Sequence, residues 1–258
     1  MIDRPPDRAL VRATRHDRIA VLEIDNSPVN ALAQPVRAAF LEALTAVDAD
    51  RTVEAIVIHG AGRHFVAGAD IREFDQEPLA PLLNDVLLRL EACAKPVIAA
   101  VHGAALGGGF ELVLACHYRI AAAAATFGLP EIRLGLIPGA GATQRLPRLI
   151  GAEAALRMAL GGEPIPCAAA VEMGIVDGRI DETDFKSEAL RYARTLVTSG
   201  QRPRRLKDLA VPGGMPEPGA IAEQRAVATR KYPGVQSVPA IIECVEMAVT
   251  ADFSEGLA

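Results

Sequence analysis

The chain is short of the features that would make its function easy to exclude or assign. Its four cysteines (Cys93, Cys116, Cys167 and Cys244) are scattered, without a C-x-x-C pair or a Cys/His spacing suited to zinc. Cys93 and Cys116 lie in apolar surroundings and read as buried thiols, which suggests a reducing compartment. No apolar run reaches the length of a membrane span, because charges or prolines interrupt each one. The N-terminal residues Asp3, Arg4, Pro5, Pro6, Asp7 and Arg8 lack the apolar core of a signal peptide. A basic surplus is missing too: the net charge is −5, which gives no electrostatic footprint for nucleic acid. The basic cluster Arg202, Arg204, Arg205 and Lys207 reads as a solvated loop. The expectation is a soluble, cytoplasmic protein with no membrane and no nucleic-acid partner.

What is present is a 258-residue chain, half of it hydrophobic, long enough for one large core or two small ones. Ile19–Ile24, Ala55–His59 and Val97–Val101 read as short apolar strands. Apolar residues at Val36, Phe40, Leu44 and Val47 give helix spacing over Gln34–Asp48, and a second helix is expected over Pro81–Cys93. Strand alternating with helix predicts an α/β fold with mainly buried strands. Ala121–Ala125 favours helix by propensity, yet its flanks read as the end of a strand. Beyond Gly141 the pattern turns helical at 144–150, 152–160, 168–173 and 184–198. Residues 1–200 are expected to form the core. Residues 201–258 are set apart by Pro203, Pro212, Pro216, Pro218, Pro233 and Pro239, with helices near 220–230 and 240–249 and an ending that looks cut.

Two glutamates, twenty residues apart, follow stretches suited to presenting backbone N–H groups. Glu111 closes His102-Gly-Ala-Ala-Leu-Gly-Gly-Gly-Phe-Glu111, and Glu131 lies in Phe127-Gly-Leu-Pro-Glu131. Carboxylates beside tight glycine turns offer acid/base chemistry next to an anion site. Gly107-Gly-Gly109 precedes an apolar helix, Phe110–Cys116, whose N-terminal amides would favour negative charge. Alternatively, the glycines only let the helix pack closely. The motif is no P-loop, since no Lys-Ser or Lys-Thr follows, and Gly139-Ala-Gly141 has Gln144 where a dinucleotide fingerprint needs its third glycine. Asp70, in Phe65-Val-Ala-Gly68-Ala-Asp70, reads as a second donor loop or simply as the cap of a short helix through Phe74. Glu111 alone is explicable by a helix dipole, worth about 0.3–1 kcal/mol. No histidines pair at i, i+4, and His102 and His117 read as structural.

Taken together, Val66-Ala-Gly-Ala-Asp-Ile71, His102 to Leu112, Phe127 to Glu131 and Leu136 to Leu146 closely resemble the enoyl-CoA hydratase/isomerase (crotonase) family over about residues 19–180. The resemblance implies a spiral of repeated ββα units with a helical C-terminal region. It implies that Glu111 and Glu131 are catalytic and that the N–H groups of Ala69 and Gly108 form an oxyanion hole. Ala67, Ala69, Asp70, Ile71, Arg72 and Gly108 would line the coenzyme A site, with Arg72 a phosphate contact. The implied reaction is hydration of a trans-2-enoyl-CoA in fatty-acid β-oxidation, with no cofactor beyond the thioester substrate. No metal is expected, because the N–H donors already supply electrophilic assistance. The alternatives are Δ3,Δ2-enoyl-CoA isomerisation and a non-catalytic acyl-CoA-binding relative. Lys231-Tyr-Pro-Gly234 and Phe253 to Ala258 resemble the hydratase part of multifunctional β-oxidation enzymes, in which a hydroxyacyl-CoA dehydrogenase follows. Assembly as a homotrimer or hexamer is implied by the family, although the terminal helices that stand-alone members use for it are missing. The residues leave the acyl-chain preference open, and do not separate the roles of the two glutamates.

Overall fold

Strands buried on both faces need near-continuous apolar runs, and four strands among the described residues are built that way. The computed structural model describes residues 9–73, 76–181 and 183–257. The expected N-terminal lead from Asp3 to Arg8, Phe74 and Ala258 fall outside them. In chain order the elements are β1 (Val11–His16), β2 (Ile19–Ile24), α1 (Gln34–Ala49), β3 (Ala55–Gly60), α2 (Leu83–Glu91), β4 (Val97–Val101), β5 (Ala104–Leu106), α3 (Gly108–Ala115), β6 (Tyr118–Ala122) and β7 (Thr126–Gly128). There follow α4 (Ala142–Ile150), α5 (Ala152–Gly161), β8 (Ile165–Pro166), α6 (Cys167–Glu172), β9 (Gly178–Ile180), α7 (Phe185–Thr198), α8 (Pro218–Lys231), α9 (Ser237–Thr250) and α10 (Phe253–Leu257).

The large sheet runs β1-β2-β3-β4-β6-β9, parallel throughout except for the antiparallel edge strand β1. Side chains alternate across it. Leu22, Ile56, Ile58, Val97 and Ala99 face the main core with α1 to α5, whereas Ile19, Val21, Val57, Ile98 and Ile120 face α7 through Ala189, Ala193 and Leu196. Val238, Ile241, Ile242 and Val245 of α9 join the main core.

A second, small sheet sets the spiral. Its strands β5 and β7 are parallel, with Ala105 beside Phe127, and Val66 makes an isolated parallel bridge to Ala105 on the other side. Val66, Ala105 and Phe127 therefore occupy the same place in three successive ββα turns, the expected crotonase-like architecture. Three residues after Val66 comes Ala69, three after Ala105 comes Gly108, and four after Phe127 comes Glu131. Sequence-distant residues reach one place because the spiral repeats.

Some expectations shift. β1 was not anticipated, because its exposed side chains (Arg12, Thr14, Arg15, His16) hide an edge strand among polar residues. The second helix is shorter than Pro81–Cys93, ending at Glu91, and α3 starts two residues before Phe110. Ala121 and Ala122 finish β6, and the chain turns at Ala123 and Ala124, as the flanks suggested. The short helix expected after Asp70 is a 3₁₀ turn over Ile71–Glu73. The ending that looks cut carries α10.

Candidate active site

Glu111 lies in the first turn of a helix that is buried on every side. Its burial is met by a backbone cradle. Oε1 accepts from Ala140 N–H at 2.7 Å and from Ala142 N–H at 3.0 Å. Between them Gly141 has φ 93° and ψ 17°, and this left-handed residue turns two nearby N–H groups toward one anion, the arrangement of a backbone nest. Burial raises the Glu111 pKa, while the two N–H bonds and the charge of Arg145 pull it back.

Glu131 is served differently. Pro130 starts a 3₁₀ turn over Pro130–Leu134, and Oε2 of Glu131 is buried without a hydrogen-bond partner among the described residues. Burial, with the charge of Glu111 second, pushes its pKa up to about 8. One carboxyl group is thus held by two donors of another segment and the other has only its own backbone N–H, so near neutrality Glu131 carries the proton.

The glycine run divides by position. A Cβ on Gly109 would lie 2.0 Å from Val66 O, so here the close-packing alternative is right. A Cβ on Gly108 would meet Leu83 Cδ2 at 2.8 Å and Ala69 N at 3.5 Å, which puts residue 108 beside the Ala69 amide. Gly108 opens α3, so its N–H has no carbonyl one turn back. Neither that N–H nor that of Ala69 meets an acceptor among the described residues. Gly107, with φ 52°, would place a Cβ 2.9 Å from Glu131 Oε1. Ala69, Gly108 and Glu131 are therefore neighbours, and Glu131 feels the charge of Glu111.

The other expected residues are less open. Ala67 N–H is taken by Val29 O at 2.9 Å. Asp70 is buried and accepts from Arg72 through the backbone N–H, Nε and Nη2, which lowers its pKa. The Arg72 side chain is 82% exposed, so it reaches solvent with one face tied to Asp70. The side chain of Ile71 lies outside the described residues. His117 is structural: Nδ1 accepts from Val97 N–H, Nε2 lies 3.1 Å from Glu91 O, and burial drives its pKa down to about 4. His102 Nε2 lies 3.0 Å from Gly62 O. All four cysteines are unpaired, and no metal-ligand cluster occurs among the described residues. Within them, no helix is long and apolar enough to cross a membrane. A cavity of about 360 Å³ between α5 and α8, lined by Leu160, Val227 and Lys231, includes neither glutamate.

The family model for enoyl-CoA hydratase/isomerase matches residues 14–211. The chain belongs to that family. A peroxisomal bifunctional enzyme of Danio rerio is 41% identical over 239 residues, 93% of this chain but 33% of that protein. A probable enoyl-CoA hydratase of Bacillus subtilis (strain 168) is 46% identical over 183 residues, 68% of this chain and 71% of that one. Among solved structures, an enoyl-CoA hydratase subunit I of Geobacillus kaustophilus HTA426 superposes with a TM-score of 0.69 at 32% identity, covering 96% of this chain and 85% of its own. The chain thus spans about a third of the length of the bifunctional relative.

Several residues around the candidate site are not marked by the sequence as contacts. These are the nest residues Ala140 and Ala142, the buried pair Glu91 and Arg145, and Leu83 beside Gly108. Gly139-Ala-Gly141 was visible as a motif, and a nest needs a glycine or another left-handed residue, so that signal was there. Glu91 gave none, since a glutamate ending a helix is ordinary.

Proposed function

We propose that this chain catalyses reversible addition of water to a trans-2-enoyl-CoA, giving a 3-hydroxyacyl-CoA. The observation that carries the reading is the unequal pair of glutamates beside two unoccupied N–H donors. The thioester oxygen sits between the N–H groups of Ala69 and Gly108, which stabilise the charge that develops on it. Losing one such donor typically costs about 10²–10³ in rate. Water lies between the carboxyl groups. Glu111, hydrogen-bonded to its nest, takes one water proton as the oxygen bonds to C3. Glu131, protonated, gives its proton to C2. The enoyl C2–C3 double bond becomes single, one H and one OH are added, and the proton on Glu111 passes back to Glu131 to reset the pair. Arg72 meets a coenzyme A phosphate by sharing its guanidinium with Asp70.

Purified protein given a trans-2-enoyl-CoA should bleach the enoyl absorbance, with kcat falling as pH rises through about 8 and Glu131 loses its proton. Turnover of a 3-enoyl-CoA alone would replace hydration by isomerisation, the other reaction in the family's name, which needs one glutamate to move a proton between C4 and C2. Binding of both esters without turnover would make the protein a non-catalytic relative. A role in fatty-acid β-oxidation and a cytoplasmic location belong to the same proposal, the latter carried by the four unpaired cysteines. The names of the vertebrate relatives place those proteins in peroxisomes.

A further inference from the structure

Glu91 and Arg145 are both fully buried, and Arg145 Nη2 meets Glu91 Oε2 at 3.0 Å. Removing one partner of a buried pair leaves an uncompensated charge, while an apolar pair of similar volume is often as stable. Stability alone therefore does not explain why an ion pair stands here. Its second contact does offer a reason. Arg145 Nη1 donates at 2.9 Å to the carbonyl of Ala140, whose N–H holds Glu111. The guanidinium also fills the space behind the nest, because a Cβ on Gly141 would lie 2.5 Å from Arg145 Nη1. The Phe253 ring of α10 lies over the same guanidinium at 5.0 Å, and Leu257 stands 2.8 Å from the same Gly141 Cβ position.

The opposite end of α2 touches the other half of the site. Leu83, its first residue, stands beside Gly108, and Glu91, its last, holds Arg145. One helix of about 13 Å therefore links the oxyanion donors to the support of the Glu111 carboxylate.

We propose that Arg145, anchored by Glu91, is a positioning residue for hydration: it braces the Ala140–Ala142 nest from behind and so keeps the Glu111 carboxylate aimed at the water. This rests on the hydratase reading. A nest that loosens gives Glu111 weaker donors, and its carboxylate becomes harder to ionise. The charge of Arg145 itself favours ionisation of Glu111, so losing it adds to the effect.

The test compares wild type, Arg145→Lys and the double variant Arg145→Met with Glu91→Leu, which removes both charges and keeps volume. Two readouts are used: kcat and KM for a trans-2-enoyl-CoA across pH, and a carbon-detected NMR titration of the Glu111 carboxyl, assigned with Glu111→Gln. The expected result is a folded double variant with nearly unchanged KM, kcat lower by on the order of 10²-fold, and a Glu111 titration displaced to higher pH. Arg145→Lys, which keeps the charge without the fork, should recover part of the titration and less of kcat. A folded variant with wild-type kcat and an unmoved Glu111 titration overturns the proposal. If the double variant does not fold, Arg145→Lys decides alone: wild-type kcat and an unmoved titration overturn it. If wild type shows no hydration at all, the hydratase reading fails, whereas the titration still reports whether Arg145 supports the nest.

Discussion

The two sides of the site differ in how backbone meets carboxyl. On the side of α3 and α4 (Gly108–Ala115 and Ala142–Ile150), Glu111 has two N–H donors, a left-handed glycine between them and a buried guanidinium behind. On the side of the 3₁₀ turn, Glu131 has an unpartnered oxygen, and Leu134, Leu136 and Ile137 just beyond it are exposed. Burial alone would push both acids toward the neutral form. Giving one of them a two-donor cradle and the other only its own backbone N–H separates a proton acceptor from a proton carrier without any change of residue type.

The sharpest way to break this comparison is to make each side amide in turn. Glu111→Gln and Glu131→Gln should each lower kcat for hydration by about 10²–10⁴-fold, the usual contribution of general acid/base catalysis. The residual activities should differ in their pH dependence. Without the charge of Glu111, the Glu131 pKa falls, so the alkaline limb of Glu111→Gln should move below that of wild type. In Glu131→Gln that limb should vanish. Identical pH profiles for the two variants would end the idea that the two sides do different work.

A smaller effect is expected from Gly141→Ala, which alters the nest and spares both carboxyl groups. The backbone there is left-handed, costing a non-glycine residue roughly 1–2 kcal/mol, and the new methyl would press on Arg145 Nη1 and Leu257. Thermal unfolding should show a loss of about 1–3 kcal/mol, and kcat should fall more than KM rises. Unchanged kcat in a destabilised variant would mean that the nest holds the fold together without directing Glu111.

Much of this contrast could be read before the structure, but unevenly. The glutamates and the glycine loops stand in short, ordered motifs, and buried parallel strands announce themselves as apolar runs such as Ala55-Ile-Val-Ile. The resemblance supplied the spiral, but the sequence holds no local sign that Val66, Ala105 and Phe127 stack, because that repeat is one of position and not of residue type. The edge strand β1 (Val11–His16) hid for the opposite reason: exposure on both faces leaves polar residues where a core strand would have none. The Glu91–Arg145 pair spans 54 positions, and neither partner sits in a pattern that calls for the other. Contacts made by unlike residues far apart in the chain are what spacing cannot reveal.

The remaining effect concerns stability alone, and it runs against activity. Between the ordinary carboxyl value of 4.5 and the raised value of about 8, the folded protein keeps on Glu131 a proton that the unfolded chain has already released. Stability relative to acid pH therefore decreases as pH rises through that window, by up to about 3 kcal/mol at pH 7. Glutamine at 131 has no proton to hold, so Glu131→Gln should lose this pH dependence and become more stable than wild type at pH 7 to 8, while the two converge near pH 4.5. Denaturant unfolding at several pH values reads the difference directly. A Glu131→Gln protein that is less stable at pH 8 would show that Glu131 is ionised and satisfied in the folded state. The two sides of the site would then be alike in the respect that matters most, and the division of labour between the glutamates would need another origin.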